Sequence, residues 1–173
     1  MNLLDAFKPI TTLIFDIDGV LTDGSLMVFE TGEQVRQMSV KDGYALQLAV
    51  KKKYNIVVIS GGNGIGAAIR LEKLGIKNVF LNVEDKVQRL VEYLNEHHLS
   101  WAETLYMGDD IPDLKPMQKA AMPCAPADAV PEILETARYI STHNGGKGCV
   151  RDVIEKLLRL HGQWDLESFV PSL

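Results

Sequence analysis

Two aspartates separated by one apolar residue, Asp16-Ile17-Asp18, follow the apolar run Thr12-Leu13-Ile14-Phe15 and lead into Gly19-Val20-Leu21-Thr22-Asp23-Gly24. The pattern predicts a short buried strand over Leu13–Ile17 that ends in two carboxylates. Side chains alternate along a strand, but a turn through Gly19 lets both acids converge on one small site. Two buried carboxylates repel each other unless a cation lies there or one proton is shared. Asp-x-Asp at the end of a central strand therefore reads as a chemical site. A surface turn with two solvated acids is the plainer reading, and it leaves apolar Ile17 unexplained.

Further chemistry-bearing residues recur in order. Ser60 and Gly61 follow the apolar run Ile56–Ile59, Lys86 lies just past Asn78–Asn82, and Asp109, Asp110 and Asp113 follow Thr104–Met107. In an open parallel sheet, ligands bind beyond the carboxyl ends of the strands, so these loops read as one site. Phosphoryl transfer fits such a set. A phosphate monoester is a dianion, and a carboxylate nucleophile needs that repulsion cancelled. Mg²⁺ held by Asp16, Asp18 and Asp109, a backbone carbonyl among the donors, would cancel it. Asp16 is then the nucleophile that forms an aspartyl-phosphate, and Asp18 the acid and base. Ser60 and neighbouring N–H groups, Gly61 included, would hold a phosphoryl oxygen. Lys86 would neutralise developing charge and orient Asp16, with Asp113 positioning Lys86 or a metal-bound water.

Taken singly, several of these residues have plainer roles. Ser60 is a common turn residue and Lys86 a common solvated helix lysine. Asp110 serves equally well as an N-cap, and Asp113 as a first-turn acid facing a helix dipole. His97, His98, His143 and His161 lack metal-ligand spacing. Gly61–Gly66 lacks the dinucleotide-binding order of glycines.

The elements that position these groups alternate along the chain. After the first strand, Leu26–Glu30 and Gln34–Met38 read as a hairpin about Thr31-Gly32-Glu33. Asp42 reads as the N-cap of a helix running to Lys51-Lys52-Lys53. Strands follow at Ile56–Ile59, Asn78–Asn82, Thr104–Met107, Met122–Ala125 and Tyr139–Ser141. Helices fill the gaps, one ending before Gly75 and another running from Asp85 to about His97. Later helices cover about Leu114–Ala120, Pro131–Ala137 and Val150–Leu160. Strands alternating with helices predict a parallel sheet covered on both faces.

The 173 residues fit one domain, 1–173, with a sizeable core. A hydrophobic fraction of 46% indicates a globular protein. The net charge of −5 argues against nucleic acid or an anionic membrane as a general partner. Cys124 and Cys149 form neither a metal motif nor a disulfide framework. No signal peptide and no membrane-length apolar run are visible, so a cytoplasmic location is expected.

With these residues in view, the chain resembles the haloacid dehalogenase superfamily of aspartate-nucleophile phosphatases. Asp16-Ile17-Asp18-Gly19-Val20-Leu21-Thr22, Ser60-Gly61, Lys86 and Gly108-Asp109-Asp110-Ile111-Pro112-Asp113 stand in that superfamily's motif order. The resemblance implies a three-layer, Rossmann-like α/β fold, with Thr22, Asp110 and Asp113 supporting the site. No cap domain is inserted, and a hairpin at about 26–38 stands in its place. That is similar to the small 3-deoxy-D-manno-octulosonate 8-phosphate phosphatases and their nine-carbon, 9-phosphate relatives. Val40-Lys41-Asp42-Gly43-Tyr44, Arg70 and Gly145-Gly146-Lys147-Gly148-Cys149-Val150-Arg151-Asp152 extend the match. One departure stands at Gly62–Gly66, uncharged where these phosphatases usually carry charged or polar residues. The resemblance implies a phosphorylated sugar acid as substrate and a homotetramer whose hairpins pack together, a neighbour helping to close each site. The sugar carboxylate calls for a cation, for which Arg70 is the first candidate and Lys41 and Lys147 the next. The tail 163–173 is expected to dock near the site mouth, on its own or a neighbouring subunit. Rival readings are a phospho-acceptor signalling domain and a catalytically silent partner subunit of the same fold.

Overall fold

In the computed structural model, which describes residues 3–164, a short helix α1 (Leu3–Phe7) precedes strand β1 (Thr12–Phe15). Every residue of β1 is buried, as its apolar run requires. A hairpin follows, with β2 (Met27–Val28) and β3 (Gln34–Val35) paired antiparallel. Its strands are shorter than the sequence suggests because the hairpin stands off the main sheet, and all four of these strand residues are exposed.

Helix α2 (Val40–Lys51) starts earlier than expected. Its cap is Ser39, whose hydroxyl accepts the Asp42 N–H at 3.3 Å. Asp42 is not the cap of its own helix. Its carboxylate turns away and accepts N–H groups at the start of the last helix. Strand β4 (Asn55–Ile59), helix α3 (Ile65–Lys73), strand β5 (Asn78–Phe80) and helix α4 (Lys86–Glu96) follow. Asp85 caps α4 by accepting the Gln88 N–H at 2.9 Å. The second half comprises β6 (Thr104–Met107), α5 (Leu114–Lys119), β7 (Met122–Ala125), α6 (Pro131–Thr136), β8 (Tyr139–Ile140) and α7 (Cys149–Leu160).

The six longer-range strands form one parallel sheet in the order β5-β4-β1-β6-β7-β8. Strand alternation sorts the core into two layers. Leu13, Phe15, Val58 and Met107 face Leu46, Val153 and Leu157 of α2 and α7. Ile14, Val57, Ile59 and Tyr106 face Leu90, Met117 and Ile133 of α4, α5 and α6. The result is the expected three-layer α/β sandwich, with β1 central between β4 and β6. The strand order reverses at β1, and the loops after β1, β4 and β6 open on the same edge.

The gap between α2 and α7 is closed by an acid. Asp42, almost fully buried, accepts the N–H of Gly148 at 3.2 Å and of Arg151 at 2.7 Å. It therefore satisfies orphan donors at the start of α7 from another helix. Burial raises its pKa, and these N–H bonds only partly oppose the rise. Trp164, at the limit of the described residues, packs edge-on against Tyr44 of α2. Residues 165–173, most of the expected docking tail, lie outside the described residues.

Candidate active site

The loop after β1 is pinned by one hydroxyl. Thr22 Oγ1 accepts the N–H groups of Gly19 and Gly24 at 3.3 Å each and donates to the Ile17 carbonyl at 3.3 Å. Gly19 adopts φ +88°, and a Cβ there would come within 1.9 Å of Asp109 Oδ2. Only glycine permits both this backbone and that approach. The glycine pair after β8 supports the same loop from outside. A Cβ on Gly145 would lie 2.0 Å from the Gly19 carbonyl oxygen, and Gly146 N donates to Val20 O at 2.9 Å.

Lys86 is the first residue of α4, held there by the Asp85 cap. Its side chain reaches back under the strand ends and is buried. Its Nζ donates to Asp16 Oδ1 at 2.6 Å and to Asp113 Oδ1 at 2.7 Å. Asp113 also accepts the buried Tyr106 hydroxyl at 2.5 Å and the Asp109 N–H at 3.2 Å. Asp16, Asp109 and Asp113 offer carboxylate oxygens all within 4.8 Å of one another.

Three acids thus crowd one ammonium, which bonds two of them, Asp16 and Asp113. Burial pushes the Asp16 carboxyl up to about 7, with Asp113 adding to the rise and Lys86 opposing it. Burial likewise raises Asp109 to about 7, helped by Asp16 and Asp113. Burial alone would lower the Lys86 pKa, but the two carboxylates outweigh it and keep the ammonium charged. Asp16 rises despite its short ion pair because burial, joined by the neighbouring Asp113 charge, outweighs Lys86. A hard divalent cation among these oxygens would supply the missing positive charge.

The cleft over this cluster has a volume of about 770 Å³ and is lined by Asp16, Asp18, Ser60, Gly61, Lys86 and Asp109, among others. Ser60 is buried, and its Oγ accepts the Gly62 N–H at 3.0 Å. Asp110 also borders the cleft and accepts the Ile111 N–H at 2.7 Å, which is the capping role weighed for it.

The remaining expected residues lie elsewhere. Lys41 and Lys147 line a second cleft, of about 700 Å³, beside Arg151 and Arg159 of α7. Lys147 Nζ is 3.3 Å from Asp23. Arg70 lines a groove of about 920 Å³ between the hairpin and α3. The carboxylate cluster holds Asp113 as its third member, and the Asp18 side chain turns instead to Arg36. Arg36 Nε donates to Asp18 Oδ1 at 2.6 Å and Nη2 to Oδ2 at 3.2 Å. The sequence gives no local sign of Arg36, which belongs to no motif and lies just after a two-residue strand.

No protein-family model matches the chain. Curated relatives do. The 3-deoxy-D-manno-octulosonate 8-phosphate phosphatase of Escherichia coli (strain K12) is 31% identical over 158 residues, covering 91% of this chain and 84% of the relative. That of Salmonella typhi is 31% identical over 164 residues, with 95% and 87% covered. Among solved structures, the phosphatase of the same name from Vibrio cholerae superposes with a TM-score of 0.90 at 30% identity, covering 95% and 92%. A Moraxella catarrhalis phosphatase in complex with magnesium ion, phosphate ion and a KDO molecule gives 0.88 at 28% identity, covering 91% of each chain.

Fold and site define a phosphoric monoester hydrolase of the haloacid dehalogenase superfamily, in which the hairpin takes the place of a cap domain. Within it, the chain belongs to the family of 3-deoxy-D-manno-octulosonate 8-phosphate phosphatases.

Proposed function

We propose that this protein hydrolyses 3-deoxy-D-manno-octulosonate 8-phosphate to the free sugar acid and phosphate, with Mg²⁺ and through an aspartyl-phosphate on Asp16. The observation that carries this reading is Lys86 bridging the buried Asp16 and Asp113 inside a triad of acids completed by the half-buried Asp109. The magnesium, phosphate and sugar acid named for the Moraxella relative support it.

Asp16 and Asp109, with Asp113 beside them, would hold the Mg²⁺, and a carbonyl of the loop bearing Asp18 completes the protein donors. When bound, the ion neutralises phosphoryl oxygens and lets a carboxylate approach the dianion. Lys86 engages Asp16 Oδ1 and leaves Oδ2 to attack phosphorus in line. The phosphorus–oxygen bond to the sugar breaks, and Asp18 gives its proton to the departing oxygen. Asp18 then takes a proton from water, whose oxygen attacks phosphorus and releases Asp16. Ser60 Oγ and the Gly61 N–H hold a phosphoryl oxygen, while Lys86 offsets charge on the equatorial oxygens. Thr22 and Asp110 fix the two loops that carry the acids.

Substrate selection is assigned to cations outside the carboxylate cluster. Arg70 lines one cleft, and Lys41 and Lys147 share another. They serve a sugar carboxylate through a second subunit, in a homotetramer built on the exposed hairpin. The exposed apolar side chains Met27, Val28 and Phe29 support such packing. The chain acts as one unit, 1–173, in the cytoplasm. No helix among the described residues is long and apolar enough to cross a membrane.

A phosphate-release screen with Mg²⁺ tests the assignment. The eight-carbon keto-acid 8-phosphate should exceed nine-carbon 9-phosphates and simple hexose phosphates by about 10-fold or more in kcat/KM, the low end of what one extra or missing methylene in a pocket discriminates. Equal rates across the panel would overturn the substrate, and no release from any member would favour a silent subunit.

A further inference from the structure

We propose that Arg36 of the hairpin is a positioning residue for Asp18, so that the hairpin forms part of the leaving-group machinery as well as standing where a cap would be. This rests on reading Asp18 as the acid and base.

The fork of Arg36 grips both oxygens of Asp18, at 2.6 and 3.2 Å. Bidentate pairing fixes the plane of the ionised carboxylate, the form that takes a proton from water; when Oδ2 carries the proton, the longer Nη2 contact gives way and Nε alone holds Oδ1. The Asp18 backbone is already set by the Thr22-pinned loop, so the side-chain torsions are what remain to be fixed. Asp18 borders the cleft with its side chain 36% exposed, whereas that of Arg36 is only 9% exposed. The arginine is therefore the held partner and the aspartate the one facing substrate. The glycines after β4 lie at ordinary contact distance from this pair. A Cβ on Gly62 would stand 3.4 Å from Asp18 Oδ2, 3.6 Å from Arg36 Nη2 and 3.6 Å from Ser60 Oγ, and one on Gly64 3.9 Å from Arg36 Nε. The glycine-rich loop after β4 thus packs directly on the ion pair, and the hairpin, that loop and the loop after β1 meet at Asp18.

A positioning role has a chemical signature. Attack by Asp16 on a phosphate with a stable leaving anion needs no proton from Asp18, whereas expulsion of a sugar alkoxide does. Losing Arg36 should therefore harm sugar-phosphate turnover and spare the first step with an aryl phosphate. A general structural defect would slow both.

The experiment compares wild type, Arg36→Ala, Arg36→Lys and Asp18→Asn with Mg²⁺. Two quantities are read: kcat and KM on the sugar-acid phosphate, and the rate of the first-turnover nitrophenolate burst from p-nitrophenyl phosphate. Arg36→Ala should lower kcat about 10–100-fold, less than the roughly 10²–10⁴-fold that general acid catalysis contributes in full, with KM and the burst rate within about three-fold of wild type. Arg36→Lys keeps the charge without the fork and should fall between. Burst amplitude counts folded enzyme, so instability cannot imitate the rate effect. If Arg36→Ala does not fold, Arg36→Lys carries the same comparison. Equal loss on both substrates, or an unchanged kcat, would overturn the proposal. If Asp18→Asn also keeps full turnover, the acid–base reading itself is wrong. If Asp18→Asn is slow and Arg36→Ala is not, only the role of Arg36 falls.

Discussion

Lys86 Nζ donates to Asp16 Oδ1 at 2.6 Å across 70 residues of chain, with both side chains buried at the carboxyl ends of the strands. The same ammonium holds Asp113 at 2.7 Å, so one cation organises two of the three acids in the cluster. Lys86→Met should lower kcat about 10²–10³-fold, as loss of one preorganised electrostatic contact does. Mg²⁺ affinity should hold or tighten, because the cluster becomes more negative. Steady-state kinetics beside a calorimetric metal titration separate the two effects. Weakened metal binding with intact kcat would place Lys86 outside the chemistry.

Gly19 controls how closely the two acidic loops approach. A methyl group there meets Asp109 Oδ2 at 1.9 Å on a backbone of positive φ. Gly19→Ala should displace Asp109, destabilise the fold by about 1–3 kcal/mol and weaken Mg²⁺ binding by an order of magnitude or so. Thermal unfolding and metal titration of the variant read both numbers.

The raised carboxyls make metal binding pH-dependent. Without metal, Asp16 and Asp109 titrate at about 7, above the unfolded value of about 4. Between those values the folded state holds more protons than the unfolded one, so metal-free stability falls as pH rises from about 4 to about 7. Mg²⁺ displaces those protons and binds more tightly above that window. At one sub-saturating Mg²⁺ concentration, the rise in Tm should be larger at pH 8 than at pH 6. An equal rise at both would remove these acids from the ligand set.

Asp42 is a cap that works across the core. Asp42→Ala leaves the Gly148 and Arg151 N–H groups without their acceptor and should cost about 1–3 kcal/mol. Asp42→Asn keeps an acceptor and should lose less, since burial already disfavours the charge. Chemical denaturation measures both. Turnover per folded molecule should stay near wild type, because Asp42 does not line the acidic cleft.

Short-range physics made much of this legible. The apolar run before Asp16 sits as the central strand, and Asp85, three residues before the Gln88 N–H it accepts, caps α4 as its position suggests. The acids, Ser60 and Lys86 converge because strand order in a parallel sheet brings their loops to one edge. What stayed hidden depends on distant partners. Ser39 and Asp42 are both competent caps in sequence, and α7, more than 100 residues away, draws Asp42 off. Helix α1 is five residues long and carries little periodicity to read. Arg36 looks like a surface residue of an exposed hairpin until the loop after β1 is placed beside it.

Asp16→Asn bears hardest on the nucleophile assignment. With Mg²⁺ and the eight-carbon keto-acid 8-phosphate, phosphate release by this variant should fall about 10³-fold or more, and no acid-stable, hydroxylamine-sensitive phosphoenzyme should form. Phosphate release at the wild-type rate by Asp16→Asn would contradict an aspartyl-phosphate on that residue.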